Sequence, residues 1–317
     1  MRPLWKDVLV AVWLGILVPG IVLNGVALVW HRDHMEELPV EQTEVQETDG
    51  AAVLLKTEAG SDTILRMEDY LISVLLAEMP ASFEPEALKA QAVAARTYAW
   101  KASVTGGKHG DGSLCGSSAC CQGYVSKESY LSGGGTEENL DKVIMAVETT
   151  ADEVLLYDGS LIEATYFSSS GGYTESALAV WGTDYPYLQS VYSPEENTEY
   201  HTEFWSAEAF QQLLGRTFPE DQTDWFGPVT CTEGGGVSEL EIAGKIYTGV
   251  QLRQILGLRS TAFEITLENG VVIVRTTGYG HRVGLSQYGA NAMARNGSSY
   301  LQILSHYYPG TELGRIS

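Results

Sequence analysis

One acidic residue, Glu78, stands in an otherwise apolar stretch that runs from Leu75 to Met79. If this segment packs into the protein, the carboxyl loses hydration, and desolvation favours its neutral form. A carboxyl that keeps its proton can act as a general acid. The alternative is a surface glutamate at a helix end, because Pro80 follows closely. The residues alone leave both interpretations open.

A second set of chemically distinctive side chains, His109, Cys115, Cys120 and Cys121, lies in a glycine-rich stretch. One imidazole and up to three thiolates are enough for a closed tetrahedral zinc site, which would be structural. The spacing is not that of a CxxC pair, and outside the cytoplasm Cys115 could instead form a disulfide with Cys120, Cys121 or Cys231. We favour the metal site, and the disulfide stays open.

Two helices and two short strands are predicted around Glu78. The hydrophobic pattern predicts strands at 51–56 and 62–67 and helices at 68–77 and 85–101, which places Glu78 at the junction of the helices. The second helix should turn its alanine-rich face to the core and form a rigid scaffold. Lys89 and Arg96 are seven residues apart on that helix and are predicted to share a face and point into one cleft, unless both are solvated surface charges.

The rest of the chain alternates helices and strands irregularly. Helices are predicted at 140–148, from Ser206 to Leu214 and from Thr248 to Leu256, and strands at 153–157 and 161–167. Asn269-Gly270 inside an alternating run predicts a type I′ hairpin within 263–276. Since no βαβ rhythm appears, we expect an α+β fold with mixed helices and antiparallel strands around a substrate cleft.

Composition excludes some classes of partner. The 317 residues are 44% hydrophobic, which is typical of a globular protein, and carry a net charge of -22. That charge repels a phosphate backbone, so we expect no nucleic-acid partner.

The N-terminal region has a different composition from the rest. The apolar run Val8 to Trp30 is long enough for a bilayer, and Arg2 and Lys6 before it predict a cytoplasmic N-terminus. A cleaved signal peptide is the alternative. Residues 33–50 are acidic and poor in large apolar residues, which indicates a linker. The predicted organisation is therefore a membrane anchor at 1–32, a linker at 33–50 and an extracytoplasmic domain at 51–317, in one or two lobes.

Three long sequence blocks resemble signature blocks of the stage II sporulation protein D family. They are AEMPASFEPEALKAQAVAARTYA, SSSGGYTESALAVWGTDYPYLQSV and GYGHRVGLSQYGANAMA. The resemblance extends from about Ile64 to Tyr308 and implies a membrane-anchored lytic transglycosylase that cuts peptidoglycan. It implies that Glu78, the glutamate of the AEMP block, is the catalytic acid and base. It also implies a structural zinc in some members, but none needed for the chemistry.

Charge that develops during the cleavage needs hydroxyl or amide donors, and together with the resemblance this predicts a substrate-binding role for polar and glycine-rich positions in the three blocks and just before the second. These are Lys89, Arg96, Tyr166, Ser168, Ser169, Ser170, Gly171, Gly172, His281, Gln287 and Tyr288. Arg282 departs from the family pattern, since glycine is usual there, and Phe167 and Tyr173 replace residues that are more often polar.

The implied partners are glycan strands stripped of stem peptides and a cell-wall amidase that acts during engulfment in sporulation. The family also includes amidase enhancers, which bind the wall or the enzyme without cutting. That non-catalytic function is the main alternative. A zinc hydrolase that uses the His109 and cysteine cluster is a third.

Overall fold

The computed structural model describes residues 51–56, 62–193, 200–218 and 224–316. These residues lie in one compact unit, Asp49–Ser317. They form a mixed α+β fold with several small sheets, which confirms the predicted fold class. No helix among the described residues is long and apolar enough to cross a membrane. The predicted anchor and acidic linker lie outside the described residues.

Nine helices are described between residues 51 and 316. They are α1 (Met67–Glu78), α2 (Pro85–Thr105), α3 (Lys127–Ser132), α4 (Glu137–Thr149), α5 (Ala177–Trp181), α6 (Ala207–Leu214), α7 (Gly249–Leu256), α8 (Gln287–Arg295) and α9 (Tyr300–Tyr307).

The strands of the same residues are short. They are β1 (Ala52–Lys56), β2 (Thr63–Arg66), β3 (Leu114–Cys115), β4 (Glu153–Tyr157), β5 (Ser160–Leu161), β6 (Tyr166–Phe167), β7 (His201–Ser206), β8 (Phe226–Cys231), β9 (Val237–Ile242), β10 (Lys245–Thr248), β11 (Phe263–Glu268), β12 (Val271–Thr276), β13 (Leu285–Ser286) and β14 (Glu312–Arg315). Their orders are β2-β1-β3, β14-β4-β5, β13-β6, β11-β12-β7 and β10-β9-β8.

The long helix α2 lies between two hydrophobic cores. Leu88, Ala92 and Ala95 pack into a core with α1 and α4, whereas Ala90 and Val93 pack into a core with α8 and α9. All five are fully buried. Alanine allows neighbouring helices to approach α2 closely on both sides. The predicted scaffold behind Glu78 is therefore present, and it is covered on two faces.

A third core lies between the sheets β11-β12-β7 and β10-β9-β8 and helices α6 and α7. Its β11–β12 hairpin turns at Asn269 and Gly270, both with positive φ, as a type I′ turn requires. Ser206 and Thr248 cap α6 and α7 with their side chains, so these predicted helix starts are confirmed.

The single strand predicted at 161–167 was wrong. Leu161 ends β5, which pairs with β4, whereas Tyr166 begins β6, which pairs in parallel with β13. The two halves have different partners, so the chain leaves one sheet and enters another. The alternation of apolar and polar residues does not indicate which strand each half pairs with.

Candidate functional site

Glu78 is the last residue of α1 and is half-buried. The helix ends there because Met79, which precedes Pro80, takes an extended backbone. Burial raises the pKa of the Glu78 carboxyl, and a hydrogen bond from the backbone amide of Gly123 only partly opposes that effect. The carboxyl therefore keeps its proton to a higher pH than an exposed glutamate does.

Gly123 makes this contact possible. Its amide donates a short hydrogen bond to Glu78 Oε1. A Cβ at position 123 would lie 3.0 Å from that oxygen and 3.2 Å from the Cβ of Ala77. Glycine thus allows the backbone to approach the carboxyl. The sequence did not predict this contact, because no local pattern connects residues that lie 45 positions apart.

Gln122, the neighbour of Gly123, links three elements. It is buried, accepts a hydrogen bond from the Tyr70 hydroxyl at 3.0 Å, and donates to the Ala95 carbonyl at 3.3 Å and to the Tyr166 hydroxyl at 2.8 Å. Tyr166, a predicted site residue, therefore bonds to the residue that precedes Gly123, whose amide bonds to Glu78.

A cavity of about 320 Å³ opens beside the segment from Ser168 to Gly172, the serine-rich loop. Three predicted residues line it: Ser168, Ser169 and Tyr288. Its other lining residues were not predicted from the sequence; they are Tyr200, His201, Arg259, Thr276, Gly278 and Tyr279. Ser169 and Tyr279 exchange two backbone hydrogen bonds, and the Tyr288 ring meets the Phe83 ring edge-on at 5.1 Å. Phe83 belongs to the segment that follows Glu78, so this wall of the cavity is in contact with that segment.

Other predicted residues of the second and third sequence blocks are buried or adopt backbone conformations that favour glycine. Ser170 is fully buried, Gly171 and Gly172 have positive φ, and Gln287 is buried in the first turn of α8. The His281 ring packs between Phe167 and Trp181. Burial lowers the pKa of His281 to about 4, so its imidazole is neutral at physiological pH.

Arg96 corrects one prediction. It is fully buried and donates to the carbonyls of Val147 and Glu153 at 3.0 and 3.2 Å, so it anchors α2 to the end of α4 and the start of β4 and does not face a cleft. Lys89, on the same helix, forms an ion pair with Glu86 at 2.7 Å near the Tyr300 ring. Lys89 is partly exposed, whereas Arg96 lies in the core, so the two side chains do not point into one cleft.

Arg282 is a structural residue. It is buried with φ +66°, forms an ion pair with buried Glu175 at 3.1 Å, and donates to the carbonyls of Ser170, Tyr173 and Gly234. These bonds tie the serine-rich loop to the 232–236 turn. The ion pair and the hydrogen bonds of Arg282 therefore explain why this position is not glycine.

His109, Cys115, Cys120 and Cys121 come together in space. Their ligand atoms all lie within 4.8 Å of one another, and all four cysteines of the chain are free thiols in the structure. His109 Nε2 lies 3.4 Å from Cys121 Sγ and 3.9 Å from Cys120 Sγ, and the two sulfurs are 3.9 Å apart. Tetrahedral zinc, with bonds of about 2.0 Å to nitrogen and 2.3 Å to sulfur, separates such atoms by about 3.5–3.8 Å. The donor set fits zinc.

Known proteins resemble this chain over most of its length. A family model described as "Stage II sporulation protein" matches residues 57–157. Stage II sporulation protein D of Bacillus amyloliquefaciens is 39% identical over 287 residues, which cover 85% of this chain and 83% of that protein. Its counterpart in Bacillus subtilis is 41% identical over 78% of this chain. A B. subtilis amidase enhancer is 32% identical over 77% of this chain but only 40% of its own length.

Proposed function

Because this chain belongs to the stage II sporulation protein D family, we propose that it is a lytic transglycosylase that cuts glycan strands of peptidoglycan during sporulation. The observation that carries the proposal is Glu78, a half-buried carboxyl with a raised pKa, close enough to Tyr166 for its charge to act on that phenol. A group that holds its proton in this position suits general acid chemistry.

One carboxyl is enough for this reaction. Glu78 gives its proton to the oxygen that links N-acetylmuramic acid to N-acetylglucosamine, and the bond to the anomeric carbon breaks. The 6-hydroxyl of the same muramic acid attacks that carbon and closes a 1,6-anhydro ring, while the Glu78 carboxylate takes the hydroxyl proton. Hydrolases with two carboxylates need a second group to activate water.

The hydrogen bonds of Glu78 support this mechanism. Within the described residues, only the Gly123 amide bonds to the carboxyl, and it does so at Oε1. The second oxygen, Oε2, is therefore available for a glycosidic oxygen. The Gly123 bond fixes the direction in which the carboxyl points, which favours proton transfer in one geometry.

The proposed substrate site combines Glu78 with the cavity at Ser168, Ser169 and Tyr288. Hydroxyls and exposed aromatic rings are the groups that bind sugars, and the cavity contains both. We propose that the other predicted residues of the loop, Ser170, Gly171 and Gly172, determine the conformation of its backbone. Strands without stem peptides are the proposed substrate.

The test compares full-length protein with its Glu78→Gln variant on denuded glycan strands, with product analysis by mass spectrometry. We expect anhydro-muramic ends from the wild type and none from the variant. Glu84→Gln is the matched control, because Glu84 is an exposed carboxylate a few residues away and should retain activity. Retained activity in Glu78→Gln, or reducing ends in the wild-type products, would refute the mechanism.

The similarity to an amidase enhancer supports one alternative function, binding without cutting. Under that alternative, wild type and Glu78→Gln bind intact strands equally, and neither releases product. A cell-wall amidase is the proposed partner in both cases.

We further propose that His109, Cys115, Cys120 and Cys121 hold a structural zinc ion. Four protein ligands leave no open position for water, so the ion would stabilise the 109–121 loop and would not supply a nucleophile. Burial opposes ionisation of the Cys115 thiol, yet hydrogen bonds from Ser117, His109 and the neighbouring thiols lower its pKa to about 7, which suits a thiolate ligand.

Anchoring by the apolar run Val8 to Trp30, with the rest of the chain outside the cytoplasm, remains part of the proposal. Its support is the length and composition of that run.

A further inference from the structure

Gln122 has an amide whose orientation is fixed by the backbone. The Ala95 carbonyl can only accept a hydrogen bond, so the atom of Gln122 that faces it at 3.3 Å must be the amide nitrogen. The amide oxygen then faces the Tyr70 hydroxyl, which donates to it at 3.0 Å. Because Gln122 is 1% exposed, water does not compete for these positions.

This orientation decides what the Tyr166 hydroxyl can do. One proton of the Gln122 amide goes to Ala95 and the other goes to the Tyr166 oxygen at 2.8 Å. The tyrosine oxygen is thus an acceptor on that side, and its own proton must point elsewhere. No residue in the described ranges accepts that proton. The Tyr166 hydroxyl can therefore donate a hydrogen bond to a ligand.

The donor lies beside the catalytic acid. Burial raises the pKa of the Tyr166 phenol well above its usual value, and the negative charge of Glu78 raises it further. Tyr166 consequently stays protonated at any physiological pH. The residue after Gln122, Gly123, holds the Glu78 carboxyl, so one dipeptide contacts both groups.

We propose that Gln122 is a positioning residue that holds the Tyr166 hydroxyl as a hydrogen-bond donor to the sugar whose bond Glu78 cleaves. The inference rests on the proposed function. Tyr166 transfers no proton: it donates a hydrogen bond to a sugar oxygen on which negative charge develops, while the proton that is transferred comes from Glu78.

A double-mutant cycle with Tyr166→Phe and Gln122→Met tests the proposal on full-length protein. Methionine keeps the approximate size of glutamine and removes its hydrogen bonds. We expect Tyr166→Phe to lower kcat about 100-fold, as the loss of one directed donor does. Gln122→Met should lower kcat about tenfold, and the double variant should be no worse than Tyr166→Phe, because both changes act through one donor.

Two controls separate positioning from folding. Tyr308→Phe removes another buried hydroxyl, which donates to Thr165 at 2.7 Å, and should change thermal stability without changing kcat. Strand affinity, measured in the Glu78→Gln background, should change less than about threefold for Gln122→Met, since the donor acts mainly in the transition state.

Losses in kcat that multiply in the double variant, or full activity of Tyr166→Phe, would overturn the proposal. If the wild type binds strands without cutting them, the proposed function fails, and the same cycle is then measured on the dissociation constant. Non-additive losses in affinity would still support Gln122 as the positioning residue, whereas additive losses would reject it.

Discussion

Burial raises the pKa of the Glu78 carboxyl, and this shift determines how activity should depend on pH. The general acid must be protonated. We expect kcat to be constant below the raised pKa and to fall about tenfold per pH unit above it, as loss of a single proton requires. A pH–rate profile measures this. A fall that began at the usual pKa of an exposed glutamate would contradict the assignment.

The same shift links Glu78 to stability. Its folded-state pKa lies above the unfolded value, so its stabilising contribution is complete below the unfolded pKa and is lost as pH rises through the folded pKa. The free energy of unfolding of the wild type should therefore fall relative to Glu78→Gln over that range. Urea denaturation of the wild type and of Glu78→Gln at several pH values measures the difference.

Arg282 gives a second prediction at the residue scale. Arg282→Met leaves Glu175 buried without its ion-pair partner, and we expect a loss of about 3–5 kcal/mol in the free energy of unfolding. Arg295→Met, at an exposed helix end, is the control and should stay within about 0.5 kcal/mol of the wild type. Equal effects of the two changes would show that the buried pair is unimportant.

At the scale of elements, the 109–123 segment connects the proposed zinc site to the proposed active site. Cys120 and Cys121 are candidate ligands, and the next two residues contact Tyr166 and Glu78. A metal ion in this loop would limit the positions that Gln122 and Gly123 can take. The loop is therefore expected to influence activity without touching the substrate.

Zinc content tests this element directly. We expect about one zinc per chain in the wild type and a large loss in Cys121→Ser, because three ligands hold a structural ion less tightly than four. Chelation should lower the melting temperature of the wild type but not that of Cys121→Ser. The control Cys231→Ser should keep its metal, since Cys231 is exposed and outside the cluster. Equal zinc content in Cys121→Ser and wild type would exclude the site.

At the scale of the whole molecule, the relevant properties are the net charge of the protein and its location in the cell. A net charge of -22 argues against nucleic acid as a partner. Two of the three cores surround α2, and the same two cores hold Tyr166 and the residues on either side of Glu78.

Membrane attachment is the prediction at this scale. Full-length protein should sediment with membranes and resist extraction by high salt, because burial of about 20 apolar residues does not depend on charge. A variant with Leu14 and Val18 changed to Arg should become salt-extractable or fail to insert. Salt-extractable wild-type protein would reject the anchor and favour the cleaved signal peptide.

Much of the local structure followed from the sequence. The helix around 68–77, the caps at Ser206 and Thr248 and the Asn269-Gly270 hairpin depend on neighbouring residues, and all were predicted. The sequence also predicted Glu78, one carboxyl in an apolar run, as the candidate acid. It predicted His109 and the cysteine cluster, one set of soft ligands, as the candidate metal site. These conclusions needed residue types and spacing alone.

Contacts between distant segments needed the tertiary structure. Gly123 against Glu78, Gln122 against Tyr166, the burial of Arg96 and the split of 161–167 between two sheets join residues that lie far apart in the chain or have different pairing partners. Periodicity reports which face of an element is apolar, but not which element covers it. For this reason the sequence by itself determined the candidate acid, and only the packing decided the pKa of that acid and the groups that orient it.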